Sequence, residues 1–187
     1  VGLLVTRKGE VAYVLVGYTN AGKSTLLNAL THSRVEAQNR LFDTLDPSSR
    51  RLRFPREREA IITDTVGFIR DLPESLMEAF AATLEELHDA DLLLHVVDAS
   101  SPEMQEQVET VQGVLQRLGL QETPVLLVLN KTDLLGPGEA KRMEKIMGGL
   151  AVSAVHPPTL NVLVERIGSA MWSSGPNLRN GSCSRGG

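Results

Sequence analysis

Four compact apolar runs punctuate the chain: Val11–Val16, Ala60–Thr63, Leu92–Val97 and Val125–Leu129. Each has the length of a strand, and near-continuous apolarity over that length is what a strand buried on both faces requires. Between the runs the period changes. Leu26, Leu27 and Leu30 follow the first. Leu76, Phe80, Leu84 and Leu87 recur three and four residues apart after Pro73. Met104, Val108, Val111, Leu115 and Leu118 do the same after Ser100-Ser101-Pro102, a helix start signal. Strand alternating with helix predicts an α/β fold with a mostly parallel, doubly wound sheet. Ser49–Phe54 and Glu59–Thr63 depart from the alternation, because only Pro55-Arg56-Glu57-Arg58 joins them. That link is too short for a crossover helix, so the two runs pair antiparallel. The expectation is six strands, one of them antiparallel, flanked by about five helices.

Composition narrows the class. At 187 residues the chain is long enough for one domain with a full core. The apolar runs fall far short of the roughly 20 residues that cross a bilayer, so no membrane span is expected. No signal peptide pattern opens the sequence. One cysteine, Cys183, excludes an intrachain disulfide and fits a reducing compartment. The net charge of −4 gives no global attraction to nucleic acid or anionic lipid. Residues 1–9 read as the remnant of an upstream linker and residues 10–172 as the domain. Residues 173–187, rich in Gly, Ser, Asn and Arg, cannot bury enough surface to offset their ordering entropy and are expected to be a disordered tail. A monomer is expected.

Three short segments carry chemistry. Gly17-Tyr18-Thr19-Asn20-Ala21-Gly22-Lys23-Ser24 fits G-x-x-x-x-G-K-[ST], directly after a strand and before a helix. Its glycines let backbone N–H groups wrap phosphate oxygens, and the helix N-terminus adds positive potential. Lys23 would neutralise the β- and γ-phosphates and Ser24 would ligate Mg²⁺. Asp64-Thr65-Val66-Gly67 closes the strand Ala60–Thr63. There Asp64 would stand near the metal, and Gly67 could offer its N–H to the γ-phosphate. Asn130-Lys131-Thr132-Asp133 closes the strand Val125–Leu129. The Asp133 carboxylate can accept from N1–H and the exocyclic amine of guanine, which adenine lacks, so a site built on that pairing rejects adenine. Asn130 would brace the loop, the Lys131 stem would cover the base, and Ser153-Ala154 would offer N–H to guanine O6. Thr44 lies 20 residues after Ser24, in a loop that could close over Mg²⁺ and the γ-phosphate, or be a plain turn residue.

Longer stretches carry a family resemblance. VGYTNAGKSTLLNALT at 16–31, LFDTLDPSSRRL at 41–52, ITDTVGFIRDLPESLMEAFAATLEE at 62–86 and ADLLLHVVDAS at 90–100 closely resemble the HflX family of ribosome-associated GTPases, in the translation-factor class of P-loop proteins. The resemblance covers about residues 10 to 170 and implies GTP hydrolysis, Mg²⁺ and binding to the large ribosomal subunit, in the cytoplasm of a bacterium or in an organelle. Carried over by position, Gly17 and Asn20, Ala21, Gly22, Lys23, Ser24 and Thr25 cradle phosphates, and Thr44 is the switch threonine. Asp64 and Gly67 form the metal and γ-phosphate pair, and Asn130, Lys131, Asp133, Ser153 and Ala154 hold guanine. Phe68 stands where many small GTPases place a water-orienting Gln, so the nucleophile must be positioned otherwise. By resemblance to GTPases lacking that Gln, Asn20 is a candidate to hold K⁺ beside the phosphates. The family carries a substantial domain ahead of this one. The alternatives are, from another class, a guanine-nucleotide switch or fragment with negligible turnover and no ribosome binding for want of that domain, and an ATPase or kinase, against which Asn130-Lys131-Thr132-Asp133 argues.

Two further features stay open from sequence. Arg50, Arg51, Arg53, Arg56 and Arg58 crowd the hairpin, which suits an RNA-facing patch; but Glu57 and Glu59 dilute the charge, which favours a solvated edge protected against strand addition. His95 lies inside a strand with no second ligand-type residue at metal spacing, and reads as a packed histidine.

Overall fold

The computed structural model describes residues 11–31, 48–54, 58–65, 67 and 88–172. Six strands form one sheet: β1 (Val11–Val16), β2 (Ser48–Phe54), β3 (Arg58–Asp64), β4 (Leu92–Asp98), β5 (Val125–Asn130) and β6 (Leu150–Ala151). Their order is β2-β3-β1-β4-β5-β6. The β2–β3 pair is antiparallel and every other pair is parallel, as the short link and the intervening helices require. Four α-helices lie among the described residues: α1 (Lys23–Thr31), α2 (Met104–Arg117), α3 (Glu139–Met147) and α4 (Pro157–Trp172). The helix expected over Leu76–Leu87 lies outside the described residues, as do Thr44, Phe68, Arg56, the linker at 1–9 and the tail at 173–187. No described helix is long and apolar enough to cross a membrane.

Alternation along the strands divides the core into two layers. On one face Tyr13, Leu15, Ile62, Leu94 and Val96 pack with Leu26, Leu27 and Leu30 of α1 and Leu160, Leu163 and Ile167 of α4. On the other, Val14, Val16 and Leu93 pack with Val111, Val114 and Leu115 of α2. Strand β1, central and almost wholly buried, serves both layers.

Strand β5 departs from the expectation of burial on both faces. Val125 is exposed and Leu126 and Leu127 are only half-buried, whereas Val128, Leu129 and Asn130 are buried. The reason is β6, which pairs only with Val128 and Leu129 and leaves the first half of β5 at the margin. The basic hairpin strand β2 is the opposite edge of the sheet, with Arg51 exposed. That position fits an edge kept solvated by cations.

His95 is packed, as its place in the strand suggested, but under strain of another kind. It is 1% exposed and its Nε2 has no hydrogen-bond partner among the described residues. Burial, and then the positive charge of Lys23, push its pKa down to about 4. The unfolded imidazole titrates near 6.5, so between those values only the unfolded chain takes up the proton. The stability this group confers is therefore complete above about pH 6.5 and is lost as the pH falls toward 4. The difference amounts to ~3 kcal/mol. Urea unfolding at pH 7 and pH 4 should show wild type losing about that much more than His95→Leu. Equal losses would mean that His95 is protonated in the folded state.

Candidate functional site

The five parallel strands end at one edge of the sheet, and the residues singled out by their chemistry gather there. This is the place where open α/β sheets form their binding crevices. Register makes the assembly: Leu15 of β1 is opposite Asp64 of β3, Val16 is opposite His95, and Asp98 of β4 is opposite Asn130 of β5.

The loop from Gly17 to Gly22 turns tightly against β4 and β5. A side chain on Gly17 would place its Cβ 2.2 Å from the carbonyl oxygen of Val96, and one on Gly22 would stand 2.5 Å from Nδ2 of Asn130. Gly22 also has φ +90°, a conformation that L side chains rarely adopt. Asn20 takes φ 60° and is exposed. The loop thus needs glycine both for its turn and for the backbone behind it.

Lys23, the first residue of α1, is 6% exposed. Its Nζ donates to the carbonyls of Gly17 at 3.3 Å and Tyr18 at 3.2 Å, so the ammonium is folded back into the loop. Burial pushes its pKa down to about 8, and the nearby Asp64 carboxylate opposes that fall. Its hydrogen-bond acceptors are thus two neutral carbonyls, with the Asp64 carboxylate nearby. Next to it, the Ser24 hydroxyl donates to Asp64 Oδ2 at 2.5 Å. Asp64 is 1% exposed and Thr65 ties the same turn to β1 by donating to the Leu15 carbonyl at 2.6 Å. Ser24 and Asp64 offer hard oxygen donors only, the set that suits Mg²⁺, which is commonly bound by one or two protein oxygens together with phosphate. Gly67 lies against the loop: a Cβ there would be 2.7 Å from Thr19 Cα and 3.0 Å from Lys23 Nζ.

The second half of the site hangs on Asn130, 1% exposed at the end of β5. Its Nδ2 donates to the Ala21 carbonyl at 3.0 Å, and its Oδ1 accepts the Ala154 N–H at 3.1 Å. One side chain therefore joins the phosphate-type loop to the loop after β6. Asp133 sits in a single 3₁₀ turn, Thr132–Leu134, entered through Lys131 at φ 62°. Ser153 donates its hydroxyl to Asp133 Oδ1 at 2.5 Å, fixing the carboxylate. A cavity of about 450 Å³ opens beside these loops, lined by Thr25, Asn28, Ala154, Leu160 and Val164.

All the described candidates thus meet at one edge: Gly17, Asn20, Ala21, Gly22, Lys23, Ser24, Thr25, Asp64, Gly67, Asn130, Lys131, Asp133, Ser153 and Ala154. Two supports were missed by the sequence reading. Thr159 of α4 accepts the Ser153 N–H at 3.0 Å and donates to its carbonyl, holding that loop. Asp98 accepts from Lys131 Nζ at 2.7 Å through Oδ2, and from the Ser100 N–H and hydroxyl at 2.9 and 2.6 Å through Oδ1. Burial raises the Asp98 pKa, but the bonds from Lys131 and Ser100 outweigh it and hold the carboxyl below its usual value. The signal for Asp98 was available: like Asp64 and Asn130, it ends a strand of the parallel sheet.

Comparison with known proteins agrees with this geometry. A family model described as 50S ribosome-binding GTPase matches residues 12–131. The GTPase HflX of Caldanaerobacter subterraneus subsp. tengcongensis is 57% identical over 130 residues, which are 69% of this chain and 30% of that protein. The GTPase HflX of Escherichia coli is 54% identical over 129 residues, 68% of this chain and 30% of that protein. The chain thus spans about a third of the length of these curated relatives. A GTP-binding protein of Sulfolobus solfataricus, solved with GDP, aligns at TM-score 0.67 and 29% identity, covering 85% of this chain and 51% of that one. On the family match and the identity to these relatives, the chain belongs to the 50S ribosome-binding GTPase family, as a G domain of its HflX branch.

Proposed function

We propose that this domain binds GTP and hydrolyses its β–γ phosphoanhydride to GDP and phosphate, in the service of the large ribosomal subunit. The observation that carries the reading is Asn130, bonded at once to Ala21 and Ala154. These two hydrogen bonds hold an anion-binding loop and a base-type loop at a set spacing, as a nucleoside polyphosphate requires. Asp133, fixed by Ser153, selects guanine by accepting two hydrogen bonds that adenine cannot donate. The same requirement disfavours an ATPase or a kinase.

In the reaction a water oxygen bonds to the γ-phosphorus as the bond to the β–γ bridging oxygen breaks; GDP leaves with the electron pair of that bond, and the water gives up its proton to the phosphate formed or to solvent. Lys23 leaves the carbonyls of Gly17 and Tyr18 for the β- and γ-phosphates, where it stabilises that charge. Ser24 and Asp64 would hold Mg²⁺, joined by Thr44. The ion, when bound, neutralises phosphate charge. Gly67, in contact with the loop at Thr19, offers its N–H to the γ-phosphate. Asn20, exposed at the loop's left-handed turn, would contribute its side-chain oxygen to K⁺. Support for the large-subunit partner comes from the family description. Support for the magnesium nucleotide comes from the solved structure of Era with MgGDPNP, which aligns at TM-score 0.68 and 26% identity, over 84% of this chain and 55% of that one.

Two outcomes follow. Multiple-turnover phosphate release at fixed Mg²⁺ should be faster in K⁺ than in Na⁺ and should rise on adding large ribosomal subunits; tight GTP binding without turnover under any condition would leave only a nucleotide switch. Asp133→Asn should weaken GTP binding by about 100-fold and improve binding of xanthosine triphosphate, whose O2 accepts from the new amide. Unchanged preference for GTP would place base recognition elsewhere.

A further inference from the structure

The HflX-type reading gives Lys131 a role but leaves open what holds its flexible side chain in place. Lysine carries a four-carbon stem with many rotamers, and an exposed ammonium has no reason to choose one. Here the choice is made. Lys131 Nζ is 2.7 Å from Asp98 Oδ2, and the two side chains are 32% and 19% exposed, so solvent screens the pair less than a surface pair. The other oxygen of Asp98 is itself occupied by the Ser100 N–H and hydroxyl, which prevents the carboxylate from turning. The stem passes close to the phosphate loop: Lys131 Cε lies 3.8 Å from the position a Gly22 Cβ would take. Lys131 itself stands in the left-handed region at φ 62°, at the entry to the 3₁₀ turn.

We infer that Asp98 is a positioning residue for guanine binding: it tethers the Lys131 ammonium so that the methylene stem, already ordered, lies beside Gly22 as an apolar rail for one face of the purine. The inference rests on the proposal that the domain binds guanine nucleotides. Its physical content is preorganisation. The rotamer entropy of Lys131 is lost when the protein folds, not when the nucleotide binds. The tether also draws the charged end away from the ring, so that the purine meets CH₂ groups. Asp98 touches no nucleotide in this scheme and acts only through Lys131. Ser100 acts through Asp98, one step further back. The arrangement spans two strands, since Asp98 and Asn130 are register partners, so β4 and β5 together set the base-facing surface.

The test is a double-mutant cycle read by the dissociation rate of GDP carrying a fluorescent ribose label. Asp98→Asn should speed dissociation about tenfold, the loss of one charge-assisted hydrogen bond and the order it imposes. Lys131→Met, which keeps an apolar stem without the ammonium, serves as the second arm. In that background Asp98→Asn should have no further effect. Binding of inorganic pyrophosphate, which has no base, should be the same in wild type and Asp98→Asn. Equal GDP dissociation from wild type and Asp98→Asn would overturn the inference. So would an equal acceleration by Asp98→Asn with and without Lys131, or a matching loss of pyrophosphate binding, since either would mark a general structural role. Failure of the wild type to bind labelled GDP at all would instead overturn the functional reading beneath it.

Discussion

The site depends on a single buried amide. Asn130 ends β5, is almost fully enclosed, and uses both halves of its side chain: Nδ2 on Ala21, Oδ1 on the Ala154 N–H. A buried amide left unpaired costs about 1–3 kcal/mol, so both loops are held to the positions that satisfy it. Those loops belong to different ends of the chain, 109 residues apart for the bond to Ala21. Without this bond the phosphate-type loop and the base-type loop would be two separate turns on a sheet edge. With it they form one cradle, whose length is set by the spacing of β1, β4 and β5.

The rest of the architecture supports that cradle. Strand β1 is buried between two helical layers, which fixes the start of the loop at Gly17. Its register against β3 brings Asp64 beside Ser24, and its register against β4 sets Val96 directly behind Gly17. Lys23 is the cost of this packing. Its ammonium is buried among carbonyls, and its pKa falls to about 8. On the proposed function an arriving phosphate would relieve that burial cost. His95 feels the same charge from the neighbouring strand and remains neutral.

Much of this was legible in the sequence, for physical reasons. The apolar runs are dense because parallel strands are covered on both faces, and the site motifs follow them because such sheets bind ligands at their C-terminal ends. The antiparallel β2–β3 pair was readable from a link too short for a helix. Other features were not local. The exposed beginning of β5 depends on the shortness of β6, which the apolar pattern of β5 does not encode. The Asp98–Lys131 tether joins residues 33 positions apart and appears only when β4 and β5 are laid in register. Thr159 could not be assigned to the Ser153 loop until the start of α4 was placed against it. Thr44 and Phe68 lie outside the described residues, so their roles rest on the family resemblance alone.

The claim that one amide unites the two halves can be tested without a whole nucleotide. On the proposed function inorganic pyrophosphate would occupy the phosphate loop alone, and the Asn130 side chain bonds that loop from behind, through the Ala21 carbonyl. Its dissociation constant should be measured by calorimetry for wild type and Asn130→Ala, alongside that of GDP, with thermal unfolding to confirm that the variant folds. A single united cradle predicts that pyrophosphate and GDP both bind more weakly in Asn130→Ala, by about tenfold or more. Pyrophosphate binding left intact while GDP binding falls would show that the phosphate loop holds its shape alone, and would contradict the account.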